Sequence, residues 1–180
     1  MKLGIFIGSF NPPHKGHIDV VNYLLKRKYV DKILIVPTGN YWDKQNLENI
    51  NHRVNMLKFF ENKKIKVDNQ NNNYQYTIDL MRKLEKIYVN DDLYLIIGMD
   101  NLINFNKWKE YQNLLKYHII VMNRNNLDVR EYLDKLNGNF IVVSNYPFIN
   151  ISSSEIIKKK KYNYLDEKVL NYIKENNLYW

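Results

Sequence analysis

The chain has 180 residues, 45% of them hydrophobic and 26% charged, a formal net charge of +8 and no cysteine. This size suits a single domain over residues 1–180 with a core of its own. The lack of cysteine excludes a disulfide framework and a thiol nucleophile, and no apolar run approaches the roughly 18 residues that cross a bilayer. Strand-like sequence begins by Leu3, so no signal peptide is expected and the cytoplasm is the expected compartment. A charge of +8 raises nucleic acid as a partner. The chain is, however, rich in Lys, Asn, Ile and Tyr and contains no alanine, a skew typical of A+T-rich coding sequence, so the basicity alone does not point to a nucleic-acid surface. The clearest basic cluster, Lys158 to Lys161, reads as a solvated helix face. A small anionic substrate is equally well served by a positive field, so neither nucleic acid nor membrane is expected as a partner.

In chain order, Leu3 to Ile7 is an apolar strand, and His17 to Lys28 follows as a helix with Val20, Val21, Leu24 and Leu25 on one face. Lys32 to Val36 is the second strand, and Asn51 to Glu61 is a helix that aligns Val54, Leu57 and Phe60. Ile65 to Asp68 is a short strand ending at the asparagine-rich Asn69 to Asn73, a surface loop. Thr77 to Tyr88 places Ile78, Met81, Leu84 and Ile87 on one helical face before the strand Leu93 to Ile97. Strands at His118 to Met122 and Phe140 to Val143 alternate with helices at Asp128 to Leu136 and Asp166 to Asn176, both opening at acidic residues suited to helix starts. Strands alternating with helices predict an α/β fold, a Rossmann-like doubly wound and mainly parallel sheet with helices on both faces.

In such sheets ligands sit beyond the C-terminal strand ends, near the point where strand order reverses. The residues that carry chemistry fall there. Gly8 to His17, GSFNPPHKGH, leaves the first strand through a glycine and a serine, stiffens at two prolines and enters a helix. His14 and His17, three apart, project to the same side of the first helical turn, where imidazoles and free N–H groups suit phosphate. The pair also has the spacing of a zinc site, but the chain has no cysteine and the segment Gly8 to His17 offers no carboxylate. A plain strand-to-helix turn is the other reading, and the GxxxxGK[ST] pattern of a P-loop is absent. Pro37, Thr38 and Lys44 follow the second strand, Gly98, Met99 and Asp100 the fourth, and Ser152, Ser153 and Ser154 the last. Three serines opening a helix offer hydroxyls to an anion, or simply cap the helix.

These residues resemble a known family. GSFNPPHKGH resembles the G-[ST]-F-[DN]-P-x-H-x-G-H signature of HxGH nucleotidyltransferases, and Ile151 to Ile156, ISSSEI, resembles their second signature, ISSTxIR. Four intermediate stretches resemble nicotinate-nucleotide adenylyltransferases in particular: HRVNML at His52 to Leu57, YTIDLM at Tyr76 to Met81, IIGMDNL at Ile96 to Leu102, and Trp108 with Leu114-Leu115. The resemblance runs from Lys2 to about Tyr179.

The resemblance implies an enzyme that joins ATP and nicotinate mononucleotide into nicotinate adenine dinucleotide, releasing pyrophosphate. It places His14 and His17 at the reacting phosphates and Lys44 as a further cation. Gly8, Ser9 and Phe10 would form a loop shared by both ligands. Ser152, Ser153 and Ser154 would cradle the β- and γ-phosphates, with Mg²⁺ bridging phosphate oxygens and no protein side chain ligating it. Gly98 and Asp100 would line the ATP site, and Thr77 and Trp108 the nicotinate pocket. The region from about residue 152 would carry the second phosphate-binding motif on a helical part. The family arginine of ISSTxIR falls on Ile157, which leaves Lys158 as its expected substitute; Tyr41-Trp42-Asp43 stand where the family has Pro-Pro-His before the lysine. A homo-oligomer is left open. A pantetheine-phosphate adenylyltransferase or a cytidylyltransferase would share the end signatures, a nicotinamide-mononucleotide adenylyltransferase would reverse the base choice, and a non-catalytic nucleotide or nucleic-acid binder is the alternative from another class.

Overall fold

The computed structural model describes residues 1–39 and 46–180. Its six strands are β1 (Lys2–Gly8), β2 (Lys32–Pro37), β3 (Ile65–Val67), β4 (Asp92–Gly98), β5 (His118–Met122) and β6 (Asn139–Val143). They form one sheet in the order β3-β2-β1-β4-β5-β6, and every neighbouring pair is parallel. The order reverses between β1 and β4, which places the expected binding crevice at the ends of those two strands.

Alternate residues of each strand face opposite layers, so continuous apolar runs are needed to cover both. Ile5, Leu34, Leu95 and Ile119 face one layer, closed by Ile78, Met81 and Leu84 of helix α3 (Thr77–Ile87) and by the short α4 (Met99–Ile103) and α5 (Tyr111–Leu114). Ile33, Ile35, Ile96 and Ile120 face the other, under Val20, Val21 and Leu24 of α1 (Lys15–Lys26) and Val54 and Leu57 of α2 (Ile50–Lys58). This is the α/β doubly wound arrangement expected from the alternation of patterns.

Beyond β6 the chain forms α7 (Ser153–Lys158) and α8 (Glu167–Glu175), whose Ile156, Val169 and Ile173 pack with Met56 of α2 into a third apolar cluster. Asp166 caps α8 by accepting from the Lys168 N–H at 2.9 Å. The expected helix from Asp128 shrinks to α6 (Arg130–Leu133), with no buried residue. Asp128 spends its carboxylate on the backbone and guanidinium of Arg130, and an unpacked segment has no burial to extend it. The short α4 and α5 carry too few residues to show a period.

Candidate active site

β1 delivers Gly8 to the switch point, and the chain then turns sharply at Phe10, whose φ of 47° is left-handed. That turn sends the Phe10 ring under the site, 2% exposed, edge-on to His17 at 4.9 Å and to Phe6 at 5.4 Å. A Cβ on Gly8 would lie 3.0 Å from the Phe10 ring, so glycine makes room for the fold-back. Phe10 is thus a buried support for His17 as well as a loop residue.

His14 sits at the N-cap of α1, and His17 lies within its first turn. Their rings stack with centroids 3.7 Å apart and 26° between planes. The His14 backbone N–H donates to His17 Nδ1 at 3.2 Å, so neutral His17 carries its proton on Nε2. Burial pushes His14 down to about 4, helped by the positive charge of Arg124. His17 is held well below its usual range by burial, then by His14, then by Arg124. Two stacked imidazoles next to an arginine resist charging, so the pair presents N–H donors rather than cations. His14 Nδ1 is buried and has no hydrogen-bond partner among the described residues.

Two adjoining cavities meet at His17 and Arg124. The larger, about 620 Å³, is walled by Ser9, His14, His17, Ser152, Ser153, Ser154 and Lys158, with Ile157 and Tyr179. The smaller, about 430 Å³, is lined by Gly8, Phe10, Gly98 and Asp100. A Cβ on Gly98 would meet nothing within 4 Å, so this backbone faces open space at the end of β4. Asp100 lies inside the first turn of α4 and Gly98 takes the N-cap, so the carboxylate does not cap that helix through its own side chain.

The serine run joins the two signatures physically. Ser153 Oγ donates to the Pro12 carbonyl at 2.8 Å, Ser152 caps α7 by accepting from the Glu155 N–H at 3.2 Å, and the Ser152 and Ser154 hydroxyls lie 3.3 Å apart. Ile157 and Lys158 both border the larger cavity. Lys159 and Lys161 are paired with Glu155 at 3.3 and 2.7 Å, whereas Lys158 forms no ion pair among the described residues.

Thr77 and Trp108 line neither of these cavities. Thr77 opens α3 behind Tyr76, and Trp108 packs at 5.3 Å on Phe105. The segment after Trp108 is nevertheless tied to α3: Arg82 grips Glu110 through both terminal nitrogens, and Lys109 lies 3.5 Å from Asp79 and 4.3 Å over the Tyr76 ring. Lys44 lies outside the described residues, as do Tyr41, Trp42 and Asp43.

Sequence reasoning missed the roles of Arg124, Arg53, Asn11 and Tyr179, which this geometry brings forward. Arg124 follows β5 by two positions and borders both cavities; a cation just past a strand's C-terminal end was the available signal. Arg53 is wholly buried in α2 and donates to the Ser9 carbonyl at 2.7 Å and the Glu48 carbonyl at 2.8 Å. Asn11 accepts from the Glu48 N–H and from the Tyr179 hydroxyl, each at 2.9 Å.

Comparison with known proteins identifies the family. The family model described as cytidylyltransferase-like matches residues 5–159. A probable nicotinate-nucleotide adenylyltransferase of Fusobacterium nucleatum is 37% identical, over 89% of this chain and 88% of its own length. A protein of the same description from Borreliella burgdorferi is 36% identical, over 99% of this chain and 97% of its own. The fold matches that of Plasmodium falciparum nicotinic acid mononucleotide adenylyltransferase, solved in complex with NaAD, with a TM-score of 0.82 at 24% identity, covering 99% of this chain and 97% of that one. With both signatures facing one crevice at the switch point and relatives above 30% identity along nearly the whole length, the chain belongs to the nicotinate-nucleotide adenylyltransferase family.

Proposed function

We propose that the chain catalyses adenylyl transfer from ATP to nicotinate mononucleotide, giving nicotinate adenine dinucleotide and pyrophosphate, as a step of NAD biosynthesis in the cytoplasm. The observation that carries the reading is the stacked His14–His17 pair, held at the head of α1 and facing Ser152, Ser154 and Lys158 across one cavity. A phosphate monoester is already anionic at neutral pH, so its attack on the α-phosphorus needs no side-chain base and no covalent intermediate. The protein must align two polyanions and stabilise charge on the transferring and leaving oxygens.

His17 is suited to donate Nε2–H to the α-phosphate, and His14 to the triphosphate beside it. Arg124, bordering both cavities, offers a cation where the two nucleotides would join. The main chain of Gly8, Ser9 and Phe10 would face the joining phosphates. Ser152, Ser153 and Ser154 with Lys158 would hold the leaving pyrophosphate, and Gly98 and Asp100 the adenosine. Thr77 and Trp108 would bound the nicotinate ring, and Lys44 would add a point charge to the phosphates.

Among the described residues no group of three or more His, Asp or Glu side chains is placed to hold a metal ion. The larger cavity is walled by hydroxyls, imidazoles and cations, with no carboxylate among its described residues. That donor set fits Mg²⁺ arriving on ATP, and Ser152 and Ser154 would lie beside the metal-bound phosphates. When bound, the ion neutralises charge on the β- and γ-phosphates.

The test is pyrophosphate release from ATP with nicotinate mononucleotide, nicotinamide mononucleotide and phosphopantetheine supplied separately. Turnover confined to phosphopantetheine, or absent with all three, would overturn the reading.

A further inference from the structure

We infer that Tyr179 and Arg53 are positioning residues for adenylyl transfer, locking the phosphate loop to Glu48, just before α2. The inference rests on the reaction proposed above. Asn11 Oδ1 receives both the Glu48 N–H and the Tyr179 hydroxyl, while Arg53 Nε holds the Glu48 carbonyl and Nη1 the Ser9 carbonyl. Glu48 is therefore fixed at both ends of its backbone, and the loop is gripped at residues 9 and 11, just before His14. The residues that grip it come from α2 and from the segment after α8, so three parts of the chain converge on one loop.

Two features are hard to explain as packing alone. Arg53 is 0% exposed on the inner face of α2, beside Val54, Met56 and Leu57. Burying a guanidinium costs desolvation that a hydrocarbon would avoid, but a hydrocarbon cannot hold two carbonyls in a rigid fork. Tyr179 adopts a left-handed φ of 66°, costly for a residue with a large side chain, and in doing so brings its hydroxyl to Asn11 at the cavity wall. Burial also raises the Tyr179 phenol far above its usual range, so it stays a neutral donor. Because the reaction depends on alignment of two phosphates, small drift of the loop that leads into His14 and His17 lowers the rate without unfolding anything.

Tyr179→Phe removes the hydroxyl and keeps the ring. It is expected to lower kcat with ATP and nicotinate mononucleotide about tenfold and to weaken inorganic pyrophosphate binding, measured by calorimetry, by a similar factor. The melting temperature should stay within about 2 °C of wild type. Asn11→Ala combined with Tyr179→Phe should be no worse than Asn11→Ala alone, because Asn11→Ala has already removed the hydrogen bond that Tyr179→Phe deletes. Arg53→Lys, which keeps the charge but loses the fork, should reproduce the kinetic defect; if it fails to fold, the Asn11–Tyr179 cycle decides. Wild-type kcat and pyrophosphate affinity in Tyr179→Phe, or multiplicative effects in the double variant, would overturn the latch. A wild-type protein that turns over no mononucleotide would sink the functional reading instead, and pyrophosphate affinity alone would then judge the latch.

Discussion

The backbone N–H of His14 donates to Nδ1 of His17, and the two rings stack 3.7 Å apart. One hydrogen bond thus chooses the tautomer of the second histidine and aims its Nε2–H away from the helix start. Substituting His17 by alanine removes a donor placed for the transition state. We expect kcat/KM to fall by at least about two decades while circular dichroism stays native, as when other transition-state donors are removed. A folded variant with near-normal turnover would remove His17 from the chemistry.

The same burial makes the ligand-free protein sensitive to acid. In the unfolded chain His14 titrates near 6.5, and in the folded protein it is pushed down to about 4. Between those values the unfolded state binds a proton that the folded state does not, so stability falls as pH drops from about 6.5 to about 4 and loses nothing further from this group below that. The full displacement corresponds to about 3 kcal/mol. His17, shifted in the same direction, adds to the loss. His14→Asn keeps an N-cap side chain and does not titrate. Scanning both proteins at pH 7 and 4.5 should show a drop in melting temperature smaller by on the order of 5–10 °C in the variant. Equal drops would show that His14 is not held neutral by the fold.

The frame was readable because it rests on periodicity. Leu93 to Ile97 is an unbroken apolar run, and a strand buried on both faces needs just that. His14, His17 and the three serines were readable because a local signature carries them. Arg53 was not, although it left a trace: it lies four residues before Leu57 and seven before Phe60, a charge on the apolar stripe of its helix. Tyr179 left none, since its role depends on the return of the chain after α8 to a loop 168 residues earlier, and such long-range pairing has no local period. The placement of Thr77 and Trp108 relative to the crevice was likewise beyond the pattern, because the ion pairs of Arg82 and Lys109 that join their segments are tertiary.

Ile157 occupies the place of the signature arginine, and Lys158 borders the same cavity. Lys158→Ala should raise KM for ATP several-fold, since it removes a cation not committed to any ion pair among the described residues. Lys161→Ala should change KM little, because its ammonium is spent on Glu155 in a half-exposed pair and does not line the cavity. ATP titrations giving equal, negligible effects would show that no neighbouring lysine stands in for the arginine that Ile157 replaces.

Base choice is the most exacting test of the nicotinate site proposed at the start of α3. Nicotinate differs from nicotinamide by a carboxylate, and α3 begins at Thr77 with no side-chain cap from Tyr76, which leaves first-turn N–H groups for an anion. Charge-assisted hydrogen bonds to such donors are stronger than neutral ones, and an amide NH₂ turned towards them would leave them unpaired. Losing two bonds of this kind costs on the order of 3 kcal/mol, or about a hundredfold. We therefore expect kcat/KM for nicotinate mononucleotide to exceed that for nicotinamide mononucleotide by at least about tenfold. Because the recognising groups belong to the backbone, Thr77→Ser and Thr77→Val should keep the preference, whereas Thr77→Pro, which deletes an N–H at a helix position that tolerates proline, should erode it. Comparable kcat/KM for the two mononucleotides in wild type would refute the preference; a preference lost in Thr77→Val would refute the backbone as its source.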